Sequence, residues 1–489
     1  MDIRLTDQYA SICAIHWQVA QGTSLENIEF YMQCNSDIPG NTQQGIYIEN
    51  GSGGFLADLT FLGGNFGAYM GNQQFTTSGL VFVYCNTAIQ IHWDWAWTMQ
   101  DFVIDGCNNG LVIVGGEGGP QSTGQSVGSL ILADAIIANT ANGILTTLLV
   151  ENATSFLLQN VGFFNVQTAI KDEDQNRVIV AGGSELVLES WGFGKINNAT
   201  GHSSFINGAN IPGMKRTTAL LGAAYDKMKP NLFTRRCPNY YDVPQSNIMN
   251  VKALGAKGDG VTDDTAALNA ILSGAANTSS IVYFPYGVYI VRTTIKLPIG
   301  SRIIGQAWSQ IMGKGAKFQD EAVPRAVVQV GRPGDISIIE IQDMMFTVGS
   351  PTSRAVIVEC YAAQATQGSV GLWGKFDLVY QRVQSMLIGL ADSHIRVGGA
   401  TGSDLQLAQC PKLSGQVNPK CKAASLMLHL KPNSTAYIEN MWAWVADHDL
   451  ELVCISRNPN LLTDDNSLPT QDQIDIYAGR GVLIESKLA

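Results

Sequence analysis

Val251-Lys-Ala-Leu-Gly-Ala-Lys-Gly-Asp-Gly-Val-Thr-Asp-Asp-Thr-Ala-Ala-Leu-Asn-Ala-Ile271, answered by Ile281-Val-Tyr-Phe-Pro-Tyr-Gly-Val-Tyr-Ile290, reads as the opening of a right-handed parallel β-helix. A short strand and a Gly-Asp-Gly turn lead into a helix, and a second strand closes with a Pro-aromatic-Gly turn. Thr262, Asp263 and Asp264 are expected to supply side-chain oxygens to the free N–H groups at the helix start, where negative charge is favourable. Leu268, Ile271 and Leu272 form one apolar stripe, suited to plugging the end of a solenoid. This start signal occurs once, in the middle of the chain.

Working outward, 489 residues suggest two or three domains, each large enough for its own core. The charged share is 15%, against the usual ~25%, and Gly, Asn, Ser and Thr fill the difference, as in an all-β chain with many turns. A net charge of −11 without a Lys/Arg cluster argues against nucleic acid and against anionic polymers, and favours a neutral ligand. Nine cysteines leave at least one outside any intrachain pairing, and Cys410 and Cys421, eleven apart around a Pro-, Gly- and Asn-containing loop, form the expected disulfide. Five Asn-x-Ser/Thr triplets (Asn50, Asn152, Asn198, Asn277 and Asn433) fit a secreted glycoprotein. No run approaches the ~20 apolar residues of a membrane span. The chain opens Met1-Asp-Ile-Arg-Leu without a signal peptide, so a secreted precursor would be longer.

The first half repeats. From Ile28, apolar strands recur at Leu59, Leu80, Phe102, Leu130 and Val161, steps of about 20–31 residues that indicate one solenoid rung per repeat. Second strands follow in some rungs, as at Ala88–Ile91 and Leu111–Val114. Residues near 222–249 are polar, Pro-rich and aperiodic, as a linker would be. Beyond the start signal, Ser301–Ile304, Ala326–Val330, Ile336–Ile341 and Ala355–Val358 continue as strands. The expected architecture is all-β: a first β-helix over 1–222, a linker over 223–249 and a second β-helix over 250–489.

These residues carry a resemblance. In the first half the matching runs are Gly45-Ile-Tyr-Ile-Glu-Asn-Gly-Ser-Gly-Gly-Phe55, Gly71-Asn-Gln-Gln-Phe75 and Trp93-Asp-Trp-Ala-Trp97. In the second they are Ala307–Phe318, Ile339–Phe346, Asp392–Gly399 and Asn440–Asp449. The chain resembles fungal members of glycoside hydrolase family 55, exo-acting β-1,3-glucanases built from two pectate-lyase-like β-helices. The resemblance implies a second start signal upstream and further rungs beyond Ile484-Glu-Ser486, so the chain is expected to be truncated at both ends. Two stretches, Gly374 to Ala391 and about Glu451 to Pro469, are surplus to the family pattern and are expected to be read-through intron sequence.

Hydrolysis of a glycoside needs a carboxylic acid for the leaving oxygen and a nucleophile or positioned water. Glu359, in Val356-Ile-Val-Glu-Cys360, is the candidate acid, because a carboxyl following apolar strand residues is partly desolvated and its pKa rises. The resemblance supports this place, although Cys360 stands where the family commonly has Trp. Glu340, nineteen residues earlier, is expected to stack near Glu359 and orient the acid or the water. Its alternative is a structural glutamate. The resemblance further implies an inverting reaction in which Gln73 and Gln74 position water, with the proton passing on to an acidic residue. An internal amide ladder is the alternative for both. Trp93, Trp95 and Trp97 alternate on an extended segment and suit the apolar faces of sugar rings, as do Trp308, Trp442 and Trp444; core packing claims at least one. Asp447-His448-Asp449 could meet sugar hydroxyls. His16, His92, His394 and His448 lack metal-ligand spacing, so no metal and no cofactor is expected.

The expected partner is a β-1,3-glucan, acted on by a monomer outside the cell, with neither nucleic acid nor membrane involved. Galacturonases and pectate lyases share the fold, but the Gly-His-Gly turn and clustered aspartates of the former are missing from the sequence, and the net charge disfavours a polyuronate. A non-catalytic glucan-binding solenoid, or an inactive fragment of the enzyme, is the alternative from another class.

Overall fold

Parallel pairing across long sequence steps organises the chain. The computed structural model describes residues 1–7, 9–18, 21–34, 37–114, 126–147, 155–197, 200–225, 227–320, 322–349, 352, 355–374, 381–383, 388–400, 403–412, 416–432, 434, 436–449 and 473–485. It is nearly all β, about 55% strand and 6% helix. Two compact units emerge, Met1–Arg236 and Cys237–Ala489. Asn152, Asn198 and Asn433, and the surplus stretch 451–469, lie outside the described residues.

In the first unit thirteen strands form one sheet. Ile28 stands opposite Leu59, Thr60 opposite Val81, and Val81 opposite Val103, the steps read from the sequence. The next step departs from that reading. Phe102 faces Ala135 rather than Leu130, and Ala135 faces Val161, while Leu130 pairs with Trp97 and Phe156. Two apolar runs compete for one register there, and in the observed one Trp97–Asp105 pairs throughout with Leu130–Ala138. Phe30, Phe61 and Phe82 stack inside with centroids 4.7 Å apart, and Phe102 continues the row at 6.1 Å. Each such buried ring contributes about 1.5–3 kcal/mol of transfer free energy.

At one corner every rung turns through a left-handed residue. Asn27, Asp58, Gly79, Asp101, Asp134 and Asn160 occupy corresponding positions with φ between 53° and 68°. Gly meets no Cβ clash there, and Asn and Asp tolerate the conformation through local side-chain bonds. Asp58, Asp101 and Asp134, distant in sequence, thereby form a column, so aspartates do cluster in this fold. The chain near the end of the unit covers them. Arg216 Nη1 lies 2.6 Å from Asp134 Oδ1, and Leu232 N donates to Asp134 Oδ2 at 2.8 Å. Asn231 Nδ2 donates to Asp101 at 3.3 Å, and Arg236 Nε lies 2.8 Å from Asp58.

Two expectations are corrected here. Repetition does not run evenly to residue 222: Ser155–Asp172 pairs antiparallel with Arg177–Asn197, which pairs antiparallel with Ser203–Asn210. The tight turn at 173–176, with Asp172 Oδ1 accepting from Gln175 N at 3.1 Å, reverses the chain. Nor do residues 223–249 behave as a free linker. Up to Arg236 they hydrogen-bond to the first unit's acidic column, and from Pro238 they cover a sheet of the second, because charged and amide groups find partners on both.

In the second unit the helix Thr265–Thr278 buries Leu268, Ile271 and Leu272 in the core, as its stripe predicts. Its cap differs from expectation. Asp263 Oδ1 accepts from Thr265 N at 3.0 Å, but buried Asp264 turns back to accept from Lys257 N and Gly258 N at 2.7 and 2.9 Å. Thr262 Oγ1 donates to Asp259 instead. The backbone N–H groups in and around the Gly-Asp-Gly turn take the Asp264 and Asp259 oxygens. Parallel strands then stack in two main rows. One contains Arg302–Gly313, Ile339–Val348, Val370–Trp373, Ile388–Ala391 and Ala436–Glu439; the other contains Arg325–Val330, Ala355–Cys360, Gln381–Val383 and Leu428–Leu430. The described part of the surplus stretch 374–391 thus occupies ladder positions in both rows. Cys410 and Cys421 are disulfide-bonded, Cα atoms 5.8 Å apart.

Candidate active site

The first unit brings Gln73, Gln74 and the tryptophan run onto neighbouring strands. Phe66–Ser78 pairs with Thr87–Asp105 so that Gly71 faces Trp93, Asn72 faces Asp94, Gln74 faces Ala96 and Phe75 faces Trp97. Gln74 is exposed and Gln73 half-buried. The internal amide bonds belong to Asn72 instead, whose Oδ1 accepts from Gly53 N at 2.9 Å and Gln73 N at 2.8 Å.

The three tryptophans do not share a face. Trp97 is 1% exposed, packed on Phe75 at 4.7 Å with its Nε1 near Thr77 Oγ1. Trp93 is buried, and its Nε1 donates to Glu49 O at 2.9 Å. Trp95 is 50% exposed. Simple alternation fails at a bend over Asp94–Trp95–Ala96, where Asp94 is buried and Trp95 and Ala96 are both exposed, before Trp97 and Met99 resume the inward phase of Ile91 and Trp93. Asp94 fills that bend. It is 1% exposed, and its Oδ1 accepts from Gly128 N at 2.8 Å and Ser129 N at 3.2 Å. Burial pushes its carboxyl up to about 7, the two N–H groups opposing. The sequence reading passed over Asp94; the signal was a carboxylate between two aromatic residues one rung above an Asn.

In the second unit Glu359 is half-exposed on Ala355–Cys360, with Gln329 and Arg382 as register neighbours. Val356, Ile357, Val358 and Cys360 around it are buried, and burial pushes the Cys360 thiol up to about 12. Glu340 belongs to the other row, opposite Arg302 and Gly371. The expected stacking of the two carboxylates therefore does not occur. The step leading to Glu340 is 38 residues, from Arg302, and that leading to Glu359 is 30, from Gln329, so the nineteen residues between the two glutamates join different rows. Glu340 is buried, its Oε2 accepting from Tyr240 Oη at 2.8 Å with Arg302 Nε at 3.4 Å.

Trp308 stands 63% exposed on a bulge of three extra residues between Ile304 and Ser309, with Ala307 left-handed at φ 55°. Trp442 and Trp444 are half-buried and alternate on one strand. His394 stacks on Trp442 at 5.4 Å and 9°, and the Arg396 guanidinium lies 4.8 Å over Trp444. Asp449 is not available to a sugar: both oxygens accept from Leu407 N at 3.1 and 3.0 Å. Asp447 bonds the ring of His448 at 2.6 Å.

The pairing and burial just described accompany a clear sequence relationship. The family described as rhamnogalacturonase A/epimerase, pectate lyase-like, matches residues 1–112 and 248–345. A glucan 1,3-beta-glucosidase of Cochliobolus carbonum is 35% identical over 97% of this chain and 54% of its own length. A probable glucan endo-1,3-beta-glucosidase of Arthroderma benhamiae is 32% identical over 99% of the chain and 61% of its own length. The chain is thus similar to that pectate-lyase-like family over 1–112 and 248–345, and to proteins named as glucan 1,3-beta-glucosidases over nearly its whole length. The chain is also similar to a non-secreted LysM effector of Penicillium expansum, 54% identical over the whole chain but over 32% of that protein. The chain spans about a third to three-fifths of the length of these curated relatives.

Proposed function

We propose that the chain hydrolyses β-1,3-glucan from a chain end, as a glycoside hydrolase built on two tandem right-handed parallel β-helices. What supports the reading is the relationship to glucan 1,3-beta-glucosidases over nearly the whole chain, together with a half-exposed Glu359 among buried apolar residues. Long-step parallel pairing within each unit supports the β-helix architecture.

Glu359 is the acid that protonates the leaving oxygen. Water attacks the anomeric carbon from the opposite face, with inversion, and its proton passes to an acidic residue. Trp95, Trp308, Trp442 and Trp444 offer partly or largely exposed rings to glucose faces. Glu340 anchors the Pro238–Tyr240 segment in this reading, in place of a partnership with Glu359. The protein acts alone, on a neutral polysaccharide. Exposed Asn50 and Asn277 support an extracellular site, while the word "non-secreted" in a relative's name points the other way. Glycan occupancy at Asn50, read by mass spectrometry of protein from its native source, decides between them.

The deciding experiment incubates the protein with laminarin and follows glucose release and the anomer first formed. Release of α-glucose that Glu359→Gln abolishes supports the reading. Glucan binding without release, unchanged in Glu359→Gln, would instead establish a binding module.

A further inference from the structure

The bend beneath Trp95 contains a buried carboxyl with half its bonding unmet. Asp94 Oδ1 accepts two backbone N–H groups, but Oδ2 is buried with no hydrogen-bond partner among the described residues. Its register neighbour shows what the bend requires. Asn72 bridges to the preceding rung through Gly53 N and fixes Gln73 N, while Asp94 bridges to the following rung through Gly128 and Ser129. A Cβ on Gly128 would meet Trp95 O at 2.7 Å, so the backbones are in close contact and a tie between them shapes the Trp95 segment.

We propose that Asp94 is a positioning residue: as a neutral acid it ties the segment bearing Gln73, Gln74 and Trp95 to Gly128–Ser129, and on ionising it opens that tie to water. The proposal rests on the reading that this segment holds glucan and supplies a pH-dependent control of it. The physical reason is the cost of a buried charge with one unsolvated oxygen: a protonated Oδ2 tolerates its surroundings, and a charged one draws water into the bend. Nearby groups leave the assignment to Asp94. The neighbouring strand offers Asn72, Gln73 and Gln74, and the bridging segment Ser126 and Ser129, none of which titrates. On its own strand, His92 places Nε2 3.1 Å from Ile48 O; Glu49 lies 3.8 Å from His16. No charged neighbour enters among the causes of the Asp94 shift.

The sign follows from the raised pKa of about 7 against an ordinary 3.8. Between these values the unfolded chain ionises and the folded one does not, so the stability contributed by neutral Asp94 is full below pH ~4 and lost as pH rises to ~7. Asp94→Asn keeps the Oδ1 acceptor and cannot ionise. Hydrogen exchange of the peptide spanning 126–129, corrected for intrinsic rate, is expected to lose about tenfold protection between pH 6 and 8 in the wild type and none in Asp94→Asn. The alkaline limb of laminarin hydrolysis, where present, is expected to move up by about one pH unit in the variant. Equal exchange profiles in the two proteins overturn the proposal. Absence of hydrolysis in both overturns the proposed activity alone, because exchange still reads Asp94. Should Asp94→Asn fail to fold, the wild-type exchange profile decides: protection flat from pH 6 to 8 overturns it.

Discussion

Tyr240 donates its phenolic hydrogen to Glu340 Oε2 at 2.8 Å, fastening the first residues of the second unit onto one of its own sheets. The bond is well sheltered: burial and the Glu340 carboxylate both raise the phenol's pKa, so it stays protonated and donating.

Tyr240→Phe removes the donor and leaves Glu340 with Arg302. A loss of about 1–3 kcal/mol in urea unfolding is expected, the cost of an under-satisfied buried acceptor. Glucose release from laminarin is expected to stay near wild type. A collapse in rate with stability intact would return Glu340 to the chemistry.

Glu359→Gln is expected to leave the melting temperature unchanged, since the side chain is half-exposed and an amide fits the same space. The turnover rate should fall by about 10²–10⁴, the range for loss of a general acid. A variant with wild-type turnover would exclude Glu359 as the acid.

Trp95 and Trp97 should separate cleanly. Trp97→Ala empties a core site and is expected to cost about 3–5 kcal/mol in thermal or urea denaturation. Trp95→Ala should change stability by about 0.5 kcal/mol or less while raising KM for laminarin. Equal destabilisation by the two would contradict the bend at Asp94–Ala96.

Arg216 and Asp134 are both buried, 2.6 Å apart. Arg216→Ala leaves the carboxylate with Asn160 and Leu232 N but without its counter-charge, for an expected loss of about 3–5 kcal/mol. A double variant that replaces both residues with apolar side chains should recover part of it, which a double-mutant cycle measures.

Asp259, the acid of the Gly-Asp-Gly turn, is held down to about 2 by bonds from Thr262 N, Thr262 Oγ1 and Val261 N. A depressed folded pKa means its stabilisation is present above the unfolded value near 3.8 and lost as pH falls toward 2. The melting-temperature advantage of the wild type over Asp259→Ala should therefore shrink between pH 5 and pH 2. A constant difference would remove Asp259 from the turn's acid lability.

Much of the fold was legible along the strand. Steps from Ile28 to Leu59, Leu80 and Phe102 were readable because each rung repeats the same inward apolar residue. Leu130 was misplaced because Leu130–Leu132 and Ala135–Ile137 are both acceptable inward runs, and the partner strand chooses between them. The site was less legible. Glu359 could be singled out by its apolar neighbours, whereas the partners of Glu340 are Tyr240, 100 residues away, and Arg302, 38 residues away.

The sequence by itself determined a β-rich chain with one mid-chain start signal, its buried helix stripe, and a Cys410–Cys421 pairing. All of these rest on periodicity and short-range spacing, which a linear reading contains. Tertiary structure alone decided which of three tryptophans faces water, that Asp58, Asp101 and Asp134 share a column under Arg216 and Arg236, and that Asp94 lies buried with one idle oxygen. The reason is common to all three. Burial and hydrogen-bond satisfaction are set by partners distant in the chain, from 34 residues for Asp94 and Gly128 to 82 for Asp134 and Arg216, where alternation along a single strand carries no information.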